Sequence, residues 1–167
     1  MTRNFSTQLA GQIGESLVVA ELGRRGIVAT AFSGNVPDID LLAYEGGKTL
    51  HLQVKAWRVG AVSFNATRFL NIKREGSVQI VEGIIEGLDR ELVYVFVKVG
   101  KLAGQDRFFV LRQGELADLI LANYESFLTK HNGIRPRNAD TTHVAVSEND
   151  LAQFEANWQL VKEIFAT

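Results

Sequence analysis

The 167-residue sequence contains no cysteine, two prolines and one methionine. Without cysteine, the chain can form neither disulfides nor metal sites built from thiolates. No apolar run approaches the roughly 20 residues of a membrane-spanning helix. The N-terminal stretch MTRNFSTQLAGQIGE also lacks the apolar region of a signal peptide. These absences predict a soluble, cytoplasmic protein with no membrane partner.

The sequence has no excess of charge of either sign, since 18 Lys and Arg face 19 Asp and Glu. The charges are nevertheless segregated, because residues 75–91 hold five acids and one base. Residues 48–74 hold no acid and six basic residues: Lys48, Lys55, Arg58, Arg68, Lys73 and Arg74. A second basic cluster comprises Lys130, His131, Arg135 and Arg137. Such segregation predicts a polyanion-binding face on a neutral protein, although ordinary solvated surface explains the same counts.

Length and composition predict one domain over residues 1–167, with a motif core at about 7–112 and a helical extension at about 113–167. Periodicity and capping residues predict helices from Ser6 or Thr7 to about Arg25, at 113–130 and at 147–165. Strands are predicted at 26–32, 38–44, 48–57, 91–100, 106–112 and 142–147. Residues 59–77 are assigned to a strand or loop, and residues 78–88 to a helix or an irregular segment. The predicted architecture mixes helices with a mostly antiparallel sheet.

The segment NVPDIDLLAYEGGKTLHLQVKAWR (35–58) predicts a hairpin with Gly46-Gly47 as its turn, because a type I′ turn needs positive φ at both positions. In that register Asp40 lies opposite Gln53, and Asp38 lies opposite Lys55. All four side chains point to one face, since side chains alternate along a strand. The other face is apolar throughout, and this pattern supports the register.

Directly opposed Cβ atoms in such a hairpin lie roughly 4.5–5.5 Å apart, so two carboxylates, an amide and an ammonium converge on one patch. Oxygen ligands of this kind suit a hard divalent cation, and the lysine would serve as a point charge beside it. A structural interpretation is also open. Asp38 could form a salt bridge with Lys55, and Asp40 a hydrogen bond with Gln53, on a solvated sheet face.

Four motifs follow one another within residues 8–58: GQIGESLVVAELGRRG, Ser33-Gly34, PDIDLLA and LHLQVKA. In these motifs the sequence resembles the PD-(D/E)XK nuclease superfamily, and specifically its branch of archaeal Holliday junction resolvase-like proteins. It implies an α/β, restriction-endonuclease-like fold with a central mixed β-sheet flanked by α-helices. It also implies metal-dependent hydrolysis of DNA phosphodiester bonds.

The resemblance further implies which residues bind Mg²⁺, for which Mn²⁺ should substitute. Asp40 corresponds best to the metal aspartate, with Asp38 as an accessory ligand, although Pro37-Asp38 is the literal proline–aspartate pair. Glu15 corresponds to the helix acid and Lys55 to the catalytic lysine. Gln53 replaces the family's usual acid, keeps one carbonyl oxygen as a ligand and removes a negative charge, which should lower metal affinity. Some active members, including a bacterial homing endonuclease, look like D/Q-x-K variants. The implied catalytic set is therefore Glu15, Asp40, Gln53 and Lys55.

Aromatic and basic residues after the lysine are candidates for DNA contact, because rings stack on bases and cations pair with phosphates. These candidates are Trp57, Arg58, Arg68, Lys73 and Arg74. Core packing is the alternative for the aromatic residue. The loop at 130–141 is a second candidate DNA-contacting element or an ordinary surface loop.

The sequence thus predicts a Mg²⁺-dependent DNA endonuclease, with branched DNA as the favoured substrate. Because junction and duplex cleavage both need two cuts, a homodimer or higher homo-oligomer is expected. Two other interpretations stay open. The protein could be a non-catalytic DNA-binding protein of the same fold, or a soluble domain whose hairpin charges are structural.

Overall fold

The computed structural model describes residues 3–32 and 39–167, and of residues 3–7 the backbone alone. Within these ranges the helices are α1 (Arg3–Arg24), α2 (Gln113–Lys130), α3 (Glu148–Leu151) and α4 (Gln159–Ala166). The strands are β1 (Val28–Ala31), β2 (Leu41–Glu45), β3 (Lys48–Trp57), β4 (Val62–Asn65), β5 (Leu70–Glu75), β6 (Val78–Ile84), β7 (Val93–Lys98), β8 (Arg107–Arg112) and β9 (His143–Val146). None of the helices in the described part of the chain is long and apolar enough to cross a membrane.

The chain forms two units by its internal contacts. The first unit comprises Met1–Gly60, Leu92–Arg112 and Leu151–Thr167, and the second comprises Ala61–Glu91 and Gln113–Asp150. The single domain over residues 1–167 stays a prediction.

The first unit is built on a five-stranded sheet of order β1-β2-β3-β7-β8. Its neighbours pair antiparallel except β3 and β7, which run parallel. Helix α1 packs on this sheet, and α4 contacts β3. The core joins Val18 and Leu22 of α1 to Leu52 and Val54 of β3, with Trp158, Val161 and Phe165 beside them. The predicted α/β class with a central mixed sheet flanked by helices is therefore confirmed.

The β2–β3 hairpin has the predicted turn and register. Gly46 and Gly47 adopt φ of 58° and 86°, and Glu45 pairs with Lys48. The pairing continues to Leu41 opposite Leu52. Leu41, Ala43 and Leu52 are fully buried, as expected of the apolar face. Strand β2 begins at Leu41, later than the predicted 38.

The second unit contains two small sheets, β4 with β9 and β5 with β6, together with α2. The prediction of a helix or irregular segment at 78–88 was wrong, since residues 78–84 form β6 and pair with β5. The region assigned to a strand or loop contains both β4 and β5. Helix α2 has the predicted bounds of 113–130.

The continuous helix predicted at 147–165 was also wrong. Ser147 and Asp150 do exchange capping hydrogen bonds, but α3 ends at Leu151 and α4 begins only at Gln159. Between them Ala156 adopts a positive φ of 52° and donates its N–H to the Phe108 carbonyl. A bond to the sheet edge therefore replaces helical hydrogen bonding. At the other end of the chain, α1 begins at Arg3 rather than at Ser6 or Thr7.

Candidate active site at the open edge of strand β3

The candidate site lies where β3 extends beyond its partner β2. Strand β3 has 10 residues and β2 has five, so the stretch after Leu52 loses its neighbour on that side. Asp40 immediately precedes β2 at this step. Its backbone N–H donates to the Leu52 carbonyl at 2.9 Å, and its own carbonyl accepts the N–H of Phe32 at 3.1 Å. These two bonds hold the Asp40 backbone between β1 and β3.

The Asp40 carboxylate completes the open edge of β3. Its Oδ2 accepts the backbone N–H of Val54 at 2.7 Å and also a hydrogen bond from the Gln53 side-chain amide. Both hydrogen bonds that the described residues give this carboxylate therefore go to one oxygen. Oδ1 is the oxygen left to meet a cation or a substrate.

Gln53 is buried, with 6% of its surface exposed. The predicted opposition of Asp40 and Gln53 is present as a direct contact between their side chains. Gln53 is, however, no part of a solvated sheet face. Burying an amide is favourable only where its polar atoms find partners, and here the amide donates to a carboxylate.

Glu15 lies on helix α1 and approaches the Asp40 carboxylate from that helix, because the neighbouring Gly14 allows α1 to pack closely on β3. A Cβ built on Gly14 would lie 2.4 Å from the Cβ of Ala56, so the helix approaches β3 more closely than any larger residue would allow. This close packing brings the half-buried Glu15 to the edge of the strand. The sequence prediction named Glu15 but missed Gly14, whose only signal was a glycine inside a helical pattern.

The pKa of Glu15 depends on its burial and on two neighbouring charges. Burial raises the pKa of Glu15 above its ordinary value of 4.5, and the negative charge of Asp40 raises it further. The Lys55 ammonium acts in the opposite direction and lowers the same pKa. Glu15, Asp40 and Lys55 therefore lie close enough to interact electrostatically. A cleft of about 600 Å³ lined by α1 and β1 borders Glu15 and leaves room for solvent or a ligand.

The oxygens of this cluster suit a hard divalent cation. Two carboxylates and the Gln53 amide carbonyl form an all-oxygen donor set, and Mg²⁺ commonly takes one or two carboxylates and keeps several waters. No group of three His, Asp or Glu side chains with metal-binding spacing occurs in residues 8–32 and 39–167. Asp38, the predicted accessory ligand, lies outside the described residues, as do Ser33, Gly34 and Pro37 of the family-like motif.

The DNA-contact candidates are divided between the two units. Arg58 is exposed at the end of β3 in the first unit. Trp57 instead lies in the core at 6% exposure, with its ring 6.3 Å from that of Phe96 and 6.1 Å from that of Phe109. Its ring therefore offers no open face on which a base could stack, and core packing accounts for it.

The other three basic candidates belong to the second unit. Arg68 is exposed directly after β4. Lys73 and Arg74 are exposed on β5, where Lys73 lies 3.6 Å from Glu75 and Arg74 lies 2.6 Å from Asp140. Both cations are thus partly neutralised by neighbouring carboxylates, a pairing that the count of charges along the sequence did not reveal.

Comparison with known proteins gives a similarity at the level of the fold. No protein-family model matches the sequence, and no curated protein matches it. The structure resembles that of a bacterial homing endonuclease, I-Ssp6803I, with a TM-score of 0.53 and 15% sequence identity over 96% of each chain. At that identity the likeness shows a shared fold. The chain therefore shares the fold of that homing endonuclease.

Proposed function

We propose that the protein is a Mg²⁺-dependent DNA endonuclease of the PD-(D/E)XK type, in a D/Q-x-K variant. The observation that carries the proposal is the meeting of Glu15, Asp40, Gln53 and Lys55 at the open edge of β3. These residues occupy the four catalytic positions that the family resemblance implies, with Gln53 in place of the usual acid. The shared fold with a homing endonuclease supports the same conclusion.

Each residue has a distinct role in the proposed mechanism. Asp40 Oδ1, the Gln53 carbonyl and Glu15 would hold the cation, while the bonds from Gln53 and Val54 fix the Asp40 carboxylate in one orientation. The bound cation would neutralise charge developing on the phosphate oxygens. Lys55 would orient the attacking water and favour its deprotonation.

The finer assignments extend the same proposal. Branched DNA is the favoured substrate because the sequence resemblance is to junction resolvases, and Mn²⁺ should replace Mg²⁺. A homodimer or higher homo-oligomer would supply the two cuts that a junction or a duplex requires.

A non-catalytic DNA-binding protein of the same fold is the second candidate. It is favoured by the hydrogen bond from Gln53 to Asp40, because this bond satisfies the carboxylate without a metal. In that case DNA binding would persist in EDTA, and no divalent cation would induce cleavage.

A cleavage assay separates the two candidates. Purified protein would be incubated with supercoiled plasmid and with a labelled four-way junction, in Mg²⁺, Mn²⁺ or EDTA. Asp40→Asn preserves the size of the side chain, and Lys55→Met keeps the aliphatic stem and removes the ammonium. Lys73→Met, on exposed β5, is the matched control.

We expect cleavage in Mg²⁺ and Mn²⁺ and none in EDTA. Both site variants should lose about 100-fold or more in rate, while Lys73→Met should change it by about tenfold at most. Salt-sensitive binding without cleavage of either substrate would support the binding protein instead.

A further inference from the structure

Arg135 is an unusual residue of the second unit because it carries a charge and yet is only 8% exposed. The guanidinium carbon lies 4.5 Å from the centre of the Tyr124 ring and 4.6 Å from that of Phe127. Both rings belong to α2, so the cation is held against one face of that helix.

No carboxylate among the described residues neutralises this cation. Arg135 Nε is buried without a hydrogen-bond partner, and none of the ion pairs within residues 8–32 and 39–167 involves Arg135. Aromatic stacking stabilises the faces of a guanidinium, but its N–H donors lie in the plane of the group. The hydrogen-bonding capacity of the buried Nε is therefore unused, which is costly for a buried polar group.

The Arg135 side chain borders a cavity of about 260 Å³. Its other lining residues are Asn123, Tyr124, Phe127, His143, Val144 and Ala145. Ser63 Oγ lies 2.6 Å from Nδ1 of His143, and Asn123 donates to the carbonyl of Ala145 at 3.2 Å. When the Ser63 hydroxyl donates to Nδ1, the neutral His143 ring carries its proton on Nε2 and offers a second donor.

The segment that carries Arg135 is basic. Residues 130–137 contain Lys130, His131, Arg135 and Arg137 and no Asp or Glu. The lining residues include no acid either. A basic segment, a buried Nε without a partner and a cavity of about 260 Å³ together favour an anionic ligand.

We infer that the Arg135 cavity is a phosphate-binding site. The planar guanidinium group matches the oxygens of a phosphate, to which it can donate two parallel hydrogen bonds. This assignment rests on the proposed function: the phosphate is a backbone phosphodiester of DNA, bound by the second unit, and is not the phosphodiester that is cleaved. Arg135 then anchors the substrate and takes no part in the chemistry.

The first test observes Arg135 directly. Asp40→Asn protein, chosen so that DNA stays intact, is titrated in EDTA with inorganic phosphate and, separately, with a short DNA duplex. The ¹⁵N–¹H resonance of Arg135 Nε is followed by NMR and assigned by its loss in Arg135→Lys. Saturable shifts with both ligands are expected. A shift with phosphate alone would overturn the assignment to DNA, and no shift with either would overturn the site.

The second test uses affinity. Arg135→Leu removes the hydrogen-bond donors and keeps an apolar side chain against the rings. Arg135→Lys keeps the charge but cannot donate two parallel hydrogen bonds to one phosphate. Arg137→Leu, at an exposed neighbouring residue, is the control. Arg135→Leu should weaken duplex binding about tenfold and lower the salt dependence by about one phosphate contact. Arg135→Lys should show an intermediate loss, and Arg137→Leu a smaller one.

These measurements are independent of cleavage. Unchanged duplex affinity and salt dependence in folded Arg135→Leu would show that Arg135 serves packing alone, whether or not the protein cuts DNA. Conversely, a protein that binds through Arg135 but never cuts would retain this inference and lose the proposed nuclease.

Discussion

The β2–β3 and β5–β6 hairpins each bury one glutamine, and the partners of the two glutamines differ. Gln53 on β3 is 6% exposed and donates to the charged carboxylate of Asp40. Gln79 on β6 is 3% exposed, and its side-chain carbonyl oxygen accepts a hydrogen bond from the Tyr124 hydroxyl. Its NH₂ group donates to the carbonyls of Ala139 at 2.5 Å and Thr141 at 3.1 Å. Gln79 therefore has neutral partners for every polar atom of its amide.

The difference distinguishes a structural amide from a candidate ligand. The carbonyl oxygen and the NH₂ group of the Gln79 amide are each engaged within the second unit, so neither is left without a partner to recruit a ligand. Gln53 lies in a cluster of two acids and a lysine, where its amide hydrogen bond leaves the carbonyl oxygen for a cation. Burial alone would not have separated the two residues; the charge of their neighbours does.

The largest expected effect comes from making each glutamine acidic. In EDTA, Gln53→Glu and Gln79→Glu should each lower the free energy of unfolding by about 3 kcal/mol, because each buries a carboxylate without a compensating cation. Mg²⁺ should restore much of the stability of Gln53→Glu, where the new carboxylate joins a cation site, and none of that of Gln79→Glu. Thermal unfolding with and without Mg²⁺ measures both. Equal changes in stability of the two variants on adding Mg²⁺ would contradict a cation site at Gln53.

A smaller effect is expected at the contact that places Glu15. Gly14→Ala would put a methyl group 2.4 Å from Ala56, so overpacking should cost about 1–3 kcal/mol of stability. It should also reduce cleavage, because Glu15 would move away from Asp40. Gly11→Ala is the matched control, since its Cβ would meet nothing within 4 Å. This variant should gain about 0.5–1 kcal/mol from helix propensity. Denaturant unfolding would check the pair, and equal stabilities would contradict the close packing.

The smallest effect on stability is expected at Arg74 on β5. Its ion pair with Asp140 is exposed, with 42% and 81% of the two side chains accessible, so Arg74→Ala should cost less than about 1 kcal/mol. If Arg74 contacts DNA, Arg74→Ala should weaken binding and Asp140→Asn should strengthen it, since the latter frees the guanidinium. Binding titrations at several salt concentrations test this. DNA affinity that changes in the same direction in both variants would mean that the Arg74–Asp140 ion pair acts only structurally.

The sequence predicted the β2–β3 hairpin well and the β5–β6 hairpin poorly, for a physical reason. Gly46-Gly47 specifies one turn, and a clean alternation of apolar and polar residues specifies one register. Strand β6 is only partly buried, and the β5–β6 register shifts between Asn71 and Ile72. No regular pattern therefore marked residues 78–84 as a strand.

The members of the candidate site were predictable from the sequence, whereas the packing around them was not. The hairpin register placed Asp40 opposite Gln53, and the family resemblance added Glu15 and Lys55. Neither could show that Asp40 accepts the Val54 N–H, that Gly14 sets the helix contact, or that Trp57 belongs to the core. These features depend on packing between elements distant in sequence.

The raised pKa of Glu15 has a consequence for stability. Between pH 4.5 and that raised pKa the native state binds more protons than the unfolded state, so stability should fall as pH rises through this window. Glu15→Gln should remove this dependence in EDTA and be more stable than the wild type at neutral pH. Unfolding free energies across the window would check the sign. A wild-type stability that rises there relative to Glu15→Gln would contradict it.

The most direct test of the central claim, that Glu15 and Asp40 share one cation site, is an NMR titration of the Glu15 carboxyl group. In EDTA its pKa should lie above 4.5. Asp40→Asn should lower it only in part, because burial is the larger cause, and Mg²⁺ should lower it in the wild type far more than in Asp40→Asn. An ordinary pKa that responds to neither change would contradict the site.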